Sequence, residues 1–171
     1  WAPGRQLYFA MRFSQPLVGH ALRDTETEIA YKGFPPPGDK DPTRRAQIEG
    51  RQLIASFDFG DGLTAPLIAK VAISSVDEAG AIANLDADMP GWDYDGARAA
   101  AKAQWAQALG VADVDAPEPM RKAFFTALYH TLQAPSLFMD SDGRYRGPDN
   151  AVHQAKGWTN HSTFSLWDTY R

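Results

Sequence analysis

The stretch from His161 to Arg171 carries the side chains in this sequence that are best suited to binding chemistry. Ser162 or Thr163 can cap a helix, because a hydroxyl oxygen accepts a hydrogen bond from the first free amides. Helical spacing then puts four side chains on one stripe: Phe164, Trp167, Asp168 and Arg171. A stripe that faces a core is apolar, whereas this one sets a carboxylate and a guanidinium among aromatic rings.

Two interpretations of Trp167 and Asp168 remain open on spacing alone. In the structural one, which spacing favours, the indole belongs to a core and Asp168 pairs with Arg171 one turn later, worth about 0.2–0.5 kcal/mol. In the functional one, the indole packs on the C–H face of a pyranose. The ionised carboxylate then accepts hydrogen bonds from two neighbouring sugar hydroxyls.

Other candidates for chemistry are weaker. The four histidines lack the spacing of a zinc site, and among them only His161 precedes the last predicted helix and could face a cleft. Asp140-Ser-Asp142-Gly143 resembles the first half of a calcium loop. The later acid, the glycine at position six and the closing glutamate are missing, so the pattern favours a turn. No G-x-S-x-G or phosphate-loop motif supports acyl transfer or nucleotide chemistry.

Composition excludes several classes of partner. The chain has 171 residues, of which 44% are hydrophobic and 22% charged, as in a folded protein. A net charge of -4 with scattered Lys and Arg argues against nucleic acid. No apolar run approaches the roughly 20 residues that span a bilayer, so we expect no membrane insertion. Without cysteine there is no disulfide and no thiolate site.

The first part of the chain has the pattern of an all-β domain, which we assign to residues 1–75. Residues 5–13 are rich in aromatic side chains, and residues 51–59 and 63–74 alternate apolar with polar or small side chains. The turn Gly60-Asp61-Gly62 predicts that the last two strands form an antiparallel hairpin. Prolines make residues 32–42 an exposed loop. These features predict part of a β-sandwich.

The period changes from two to 3.6 at Ser75. Ser75-Val-Asp-Glu78 has the pattern of a capping box and predicts a helix to Met89. An alanine-rich helix begins at Asp93 or Asp95 and ends before Gly110. Because such a helix needs little partner surface, we assign residues 76–110 to a helical linker between two domains.

The remaining residues, 111–171, predict the beginning of a helical domain. A helix over 117–134 has an apolar arc wide enough for several neighbours, as in an all-α barrel or bundle. Residues 135–160 form a long excursion with two turn signals and a small hairpin. Because the chain starts at Trp1 and stops within a predicted helix, we expect it to be a fragment of a longer protein.

Several blocks together resemble glycoside hydrolase family 92, the calcium-dependent exo-acting α-mannosidases. The blocks are Leu7–Ser14, Met89–Asp95, Phe125–His130, Asp142–Gly147 and Ser162–Tyr170. The resemblance implies an N-terminal β-sandwich, a helical linker and a C-terminal (α/α)6 barrel. It therefore implies that residues 1–75 end the sandwich and residues 111–171 begin the catalytic barrel.

The resemblance also implies an activity. Family members remove terminal mannose from glycans with inversion, and we expect the α-1,2 type. One carboxylic acid protonates the leaving oxygen and another carboxylate activates water, while calcium helps to distort the sugar. No residue here matches the family's acid, base or calcium-ligand motifs, which lie further downstream. We therefore expect the catalytic and metal-binding residues outside this chain, and the chain alone to be inactive.

The resemblance assigns a role to the final stretch. The Trp-Asp of the family's Ser-Leu-Trp-Asp-Thr motif falls on Trp167 and Asp168, which implies contacts with terminal mannose. Phe164, His161 and Arg171 join them by weaker extension. Bacterial members are usually periplasmic or secreted. The alternatives are a non-catalytic carbohydrate-binding β-sandwich module and a scaffold segment, but the best sugar-facing residues lie in the helical half.

Overall fold

A computed structural model describes residues 4–26, 30–32 and 49–162 of the chain. The chain divides into two compact units. Unit 1 consists of residues 1–12 and 70–171, and unit 2 of residues 13–69. The predicted domain boundaries after residues 75 and 110 remain predictions.

Within the described residues, five strands precede three helices, as the change of period at Ser75 indicates, and two short strands follow. The strands within the described residues are β1 (Tyr8–Phe13), β2 (Gly19–Asp24), β3 (Ala30–Lys32), β4 (Leu53–Asp58), β5 (Ala69–Ser74), β6 (Arg144–Arg146) and β7 (Val152–Gln154). The helices there are α1 (Glu78–Asp88), α2 (Tyr94–Leu109) and α3 (Glu118–Thr131). The β-then-α order of the predicted fold class is therefore confirmed.

The predicted hairpin between β4 and β5 is wrong, although both strands exist. β4 pairs antiparallel with β2, from Gly19 opposite Asp58 to Asp24 opposite Leu53. β2 also pairs antiparallel with β3, while β5 pairs with β1. The alternating pattern identified the strands correctly, but it carries no information about which strand lies alongside.

The reason for this error lies in the connection after β4. Gly60 adopts a φ of +70°, and its amide donates to Asp58 Oδ1 over 2.8 Å, so a turn does begin there. The chain then runs without strand structure to β5, past Pro66, which has no amide hydrogen to donate. At the end of this run Ile68 exchanges hydrogen bonds with Ser14. The turn thus ends β4 without returning the chain along it.

Unit 2 contains a small aromatic group. The ring of Phe13 lies 4.9 Å from that of Phe57 and 5.1 Å from that of Phe59, measured between centroids. Both pairs are inclined, as aromatic rings prefer. Phe57 in β4 and Phe59, just after it, therefore both pack on Phe13, the last residue of β1.

The first helix begins two residues later than the capping-box pattern predicts. Asp77 caps α1, because its Oδ1 accepts from the amide of Gly80 over 2.6 Å. Ser74 Oγ accepts from the amide of Val76 over 2.9 Å. Ser75 makes its contacts elsewhere, with Arg146. An acid at the cap also complements the helix dipole.

The second helix follows the prediction closely. Asp93 caps α2 by accepting from the amide of Gly96 over 2.8 Å, and Gly110 ends the helix. Before it, Lys70 Nζ donates to the Met89 carbonyl over 2.5 Å and lies 4.5 Å from the ring centre of Trp92. The lysine therefore fixes the turn between α1 and α2 to β5.

The third helix does not have the surroundings that its apolar arc predicts. Met120 is 65% exposed and Phe124 41% exposed. The rings of Trp105 and Tyr129, on α2 and α3, lie 4.5 Å apart. The barrel therefore remains a prediction. Within the described ranges, the buried apolar side chains are Val76, Ala81 and Leu85, and no helix is long and apolar enough to cross a membrane.

Candidate functional site

Four of the five predicted sugar-contacting residues lie outside the described residues: Phe164, Trp167, Asp168 and Arg171. The fifth, His161, is described, is exposed, and forms an isolated antiparallel bridge with Leu137. The structure therefore describes the segment that comes directly before the other predicted pocket residues in the sequence.

Two short segments, 136–138 and 160–162, run antiparallel and form what we call the entry ladder. The amide of Ser162 donates to the Ser136 carbonyl over 2.8 Å, and Ser162 Oγ accepts from the amide of Ser136 over 3.0 Å. The amide of Phe138 donates to the Asn160 carbonyl over 3.0 Å, and Asn160 Nδ2 donates to the Phe138 carbonyl over 2.7 Å. Backbone and side chains together hold the segment that carries His161.

A buried carboxyl group anchors the entry ladder. Asp140, two residues after the ladder, is only 3% exposed. Ser74 Oγ donates to its Oδ2 over 2.7 Å, and Asn84 Nδ2 donates to its Oδ1 over 2.9 Å. The amide of Ser141 donates to Asn84 Oδ1 over 2.7 Å. One carboxyl group therefore joins the loop to the end of β5 and to α1.

Arg144 forms a second attachment to α1. Its guanidinium donates to Asp77 Oδ2 over 2.7 Å and to Asp142 Oδ2 over 2.6 Å. The hydrogen bond from the Arg144 side chain is the main cause that lowers the pKa of Asp77. The Arg144 amide is the main cause that lowers the pKa of Asp142, and these contacts raise the pKa of Arg144 itself. All three groups are therefore charged at neutral pH.

Arg146 forms a third attachment. Its Nε donates to the Ser75 carbonyl over 2.6 Å, and its Nη2 donates to the Val76 carbonyl over 3.0 Å. Its Nη1 donates to the Asn150 carbonyl over 2.7 Å, across the small hairpin formed by β6 and β7. The predicted hairpin is thus confirmed, and the block Asp142–Gly147 fastens it to the start of α1.

The calcium interpretation of Asp140 and Asp142 does not fit the structure. Ser74 and Asn84 occupy the oxygens of Asp140, and Arg144 occupies those of Asp142. Gly143 has a φ of +84°, and its amide donates to the Asp140 carbonyl over 2.9 Å, which confirms the turn. In the described part of the chain no group of three or more His, Cys, Asp or Glu side chains could hold a metal ion.

Tyr145 and His153, opposite each other in the hairpin, form an aromatic group with Trp158, which is 51% exposed. The ring of Tyr145 lies 5.5 Å from that of His153 and 5.3 Å from that of Trp158. His153 Nε2 lies 2.9 Å from Asp149 Oδ2, and the hydrogen bond from His153 is the main cause that lowers the pKa of Asp149. This carboxylate is thus bound within its own hairpin.

The sequence did not reveal the anchoring role of Asp140. Its partners Ser74 and Asn84 are 66 and 56 residues away, so no local spacing connects them. One signal was available: Asn84 interrupts the apolar positions of α1, and a polar side chain there needs a buried partner.

Comparisons with known proteins identify a family for this chain. A model described as the glycosyl hydrolase family 92 catalytic domain matches residues 80–171. The structure is similar to the family GH92 alpha-mannosidase BT3965 from Bacteroides thetaiotaomicron, with 32% identity and a TM-score of 0.81. The match covers 100% of this chain and 22% of that one. The same mannosidase in complex with mannoimidazole matches with 32% identity, the same coverage and a TM-score of 0.80.

A more distant solved structure shares the fold. The family GH92 inverting mannosidase BT2199 from Bacteroides thetaiotaomicron VPI-5482 has 20% identity and a TM-score of 0.72, over 99% of this chain and 22% of that one. A search among curated proteins found no match. The chain thus spans 22% of the length of the mannosidase BT3965.

Proposed function

Because the chain belongs to glycosyl hydrolase family 92, we propose that it forms part of an α-mannosidase that removes terminal mannose from glycans. The observation that carries this proposal is the 32% identity with the alpha-mannosidase BT3965 over 100% of the chain. The complex of that protein with mannoimidazole supports a mannose-like ligand. Since the chain spans 22% of that protein, we propose that it contributes some of the residues of the sugar pocket.

The sugar contacts are assigned to the residues that follow the entry ladder. Trp167 packs its indole on the C–H face of the terminal mannose, and the Asp168 carboxylate accepts hydrogen bonds from two neighbouring hydroxyls. By weaker extension, Phe164, His161 and Arg171 are assigned to the same pocket. The hydrogen bonds that hold residues 160–162 support this assignment, because a sugar pocket needs a rigid base.

The reaction is hydrolysis with inversion, for which an acid and a base must lie on opposite sides of the glycosidic bond. A carboxylic acid protonates the leaving oxygen, and a carboxylate activates the attacking water. We assign both groups, and the calcium ligands, to parts of the protein outside this chain. The preferred linkage is α-1,2, and the protein acts in the periplasm or outside the cell.

The test uses the full-length protein that contains this sequence. It is incubated with α-1,2-, α-1,3- and α-1,6-linked mannobiose, and the first anomer released is identified by proton NMR. We expect fastest release from the α-1,2 substrate, with β-mannose appearing first. A chelator should abolish the activity, and calcium should restore it.

The outcomes separate the parts of the proposal. Initial release of α-mannose would contradict inversion, and a preference for another mannobiose would contradict the linkage. If no mannoside is hydrolysed but calorimetry shows that the chain binds mannose oligosaccharides, the protein is a carbohydrate-binding module instead.

A further inference from the structure

The buried carboxyl group of Asp140 joins three separate parts of unit 1. Its own residue follows the entry ladder, Ser74 ends β5, and Asn84 lies within α1. Burying a carboxyl group costs more free energy than burying a neutral side chain of similar size. Both of its oxygens accept hydrogen bonds, one from the end of β5 and one from α1. The carboxyl group therefore fixes residue 140 relative to both elements.

The surroundings of Asp140 leave it little freedom. A Cβ atom on Gly80 would lie 2.8 Å from Ser74 Oγ and closer still to Asp140 Oδ2. The amide of Ser141 binds Asn84 Oδ1, and the amide of Asp140 donates to the Arg144 carbonyl over 2.8 Å. Backbone and side chain are therefore held together at this point.

A short series of contacts connects Asp140 to the entry ladder. Two residues before it, the amide of Phe138 binds the Asn160 carbonyl, and the amide of Asn160 lies 3.3 Å from Met139 Sδ. Leu137 bridges to His161. We therefore expect a shift of Asp140 to move residues 160–162 as well.

We propose that Asp140 is a positioning residue of the mannose pocket: bound to Ser74 and Asn84, it sets the place of the entry ladder and of His161, which the proposed function assigns to that pocket. This inference rests on the proposed function. Asp140 does not touch the sugar and acts only through the segment that it holds.

The test compares three variants of the full-length protein. Asp140→Ala removes both hydrogen bonds. Asp140→Asn keeps the shape of the side chain. Its amide oxygen can still accept from Asn84, and its amide nitrogen can donate to Ser74 Oγ. Asp149→Ala is the control, because Asp149 lies in the turn of the β6–β7 hairpin, within the same excursion, and binds His153 instead. The inhibition constant of mannoimidazole, KM and kcat are measured well below each variant's Tm.

We expect Asp140→Ala to weaken mannoimidazole binding and lower kcat/KM by about 10- to 100-fold, because small misplacements of binding groups cost that much. Asp140→Asn should recover most of the loss, and Asp149→Ala should stay near the parent values. A lowered Tm with unchanged mannoimidazole binding and KM would overturn the proposal, because it would show a purely structural role.

A second measurement does not depend on catalysis. Hydrogen exchange of the Phe138 and Ser162 amides should be faster in Asp140→Ala, while exchange in the β2–β4 pair stays unchanged. If the parent protein neither binds mannoimidazole nor hydrolyses mannosides, the proposed function fails. The exchange rates then still decide whether Asp140 places the ladder, and unchanged rates would refute that role.

Discussion

Asp168 is the residue on which the proposed sugar contact depends most. Replacing it by Ala in the full-length protein would remove the proposed hydrogen bonds to two sugar hydroxyls, and hydrogen bonds to a charged group are worth about 1.5–3 kcal/mol each. We expect kcat/KM for an α-mannoside to fall by an amount worth about 3 kcal/mol. Near-normal turnover would instead support the local pairing of Asp168 with Arg171.

Gly80 tests the packing around the buried carboxyl group. In Gly80→Ala the new methyl group meets Ser74 Oγ and Asp140 Oδ2, which cannot move without losing their hydrogen bonds. Alanine gains up to about 1 kcal/mol of helix propensity, but overpacking costs about 1–3 kcal/mol. We expect a net loss of stability, measured by thermal unfolding.

The control for this substitution is Gly91→Ala. A Cβ atom there meets nothing within 4 Å. Its unfolding temperature should match that of the parent protein. Equal stability of both variants would mean that the surroundings of Asp140 adjust more easily than the geometry indicates.

At the scale of elements, α1 and the β6–β7 hairpin are joined by charges that depend on pH. The pKa values of Asp77 and Asp142 lie below their usual 3.8 in the folded protein because both bind Arg144. A carboxyl with a lowered folded-state pKa stabilises the fold above its unfolded pKa. That stability is lost as the pH falls through the folded-state pKa.

We therefore expect urea unfolding midpoints to fall between about pH 5 and about pH 2, and to fall less steeply in Arg144→Gln. Lys156→Gln, an exposed cation of the same excursion, serves as the control. A pH dependence identical in the parent and in Arg144→Gln would show that this ion pair does not contribute.

Sequence patterns identified elements well and partners poorly. The alternation in β4 and β5 and the helical spacing in α1, α2 and α3 were sufficient to find those elements, because periodicity is a local property. Pairing is not local: β2 lies between β3 and β4, and β5 joins β1. The glycine-rich turn after β4 therefore predicted that β4 pairs with β5, whereas β4 pairs with β2.

The same limit applies to the candidate site. The aromatic and acidic residues near the end of the chain were found by their types and spacing. The support beneath His161 was not found, because Asp140 reaches Ser74 and Asn84 across more than fifty residues. Those contacts exist only once β5, α1 and the loop that carries Asp140 have come together in the folded protein.

At the scale of the whole molecule, much apolar surface is exposed. Phe9 is 66% and Val111 79% exposed, and within the described residues the sheet of β1 and β5 has two strands. Sheets of two strands are marginal alone, and large apolar surfaces promote association. We expect the isolated 171-residue chain to self-associate in light scattering and to hydrolyse no mannoside. Metal-dependent mannose release by this chain would contradict the second expectation.

The hydrogen bonds between Ser14 and Ile68 have a consequence for how this sequence can be altered. They bring the two ends of unit 2 side by side, at the points where β1 stops and β5 starts. Chain ends that lie close together allow a segment to be inserted or exchanged without stretching its host. The residues between Ser14 and Ile68 can therefore be exchanged for another segment, or replaced by a short turn that joins these two residues directly.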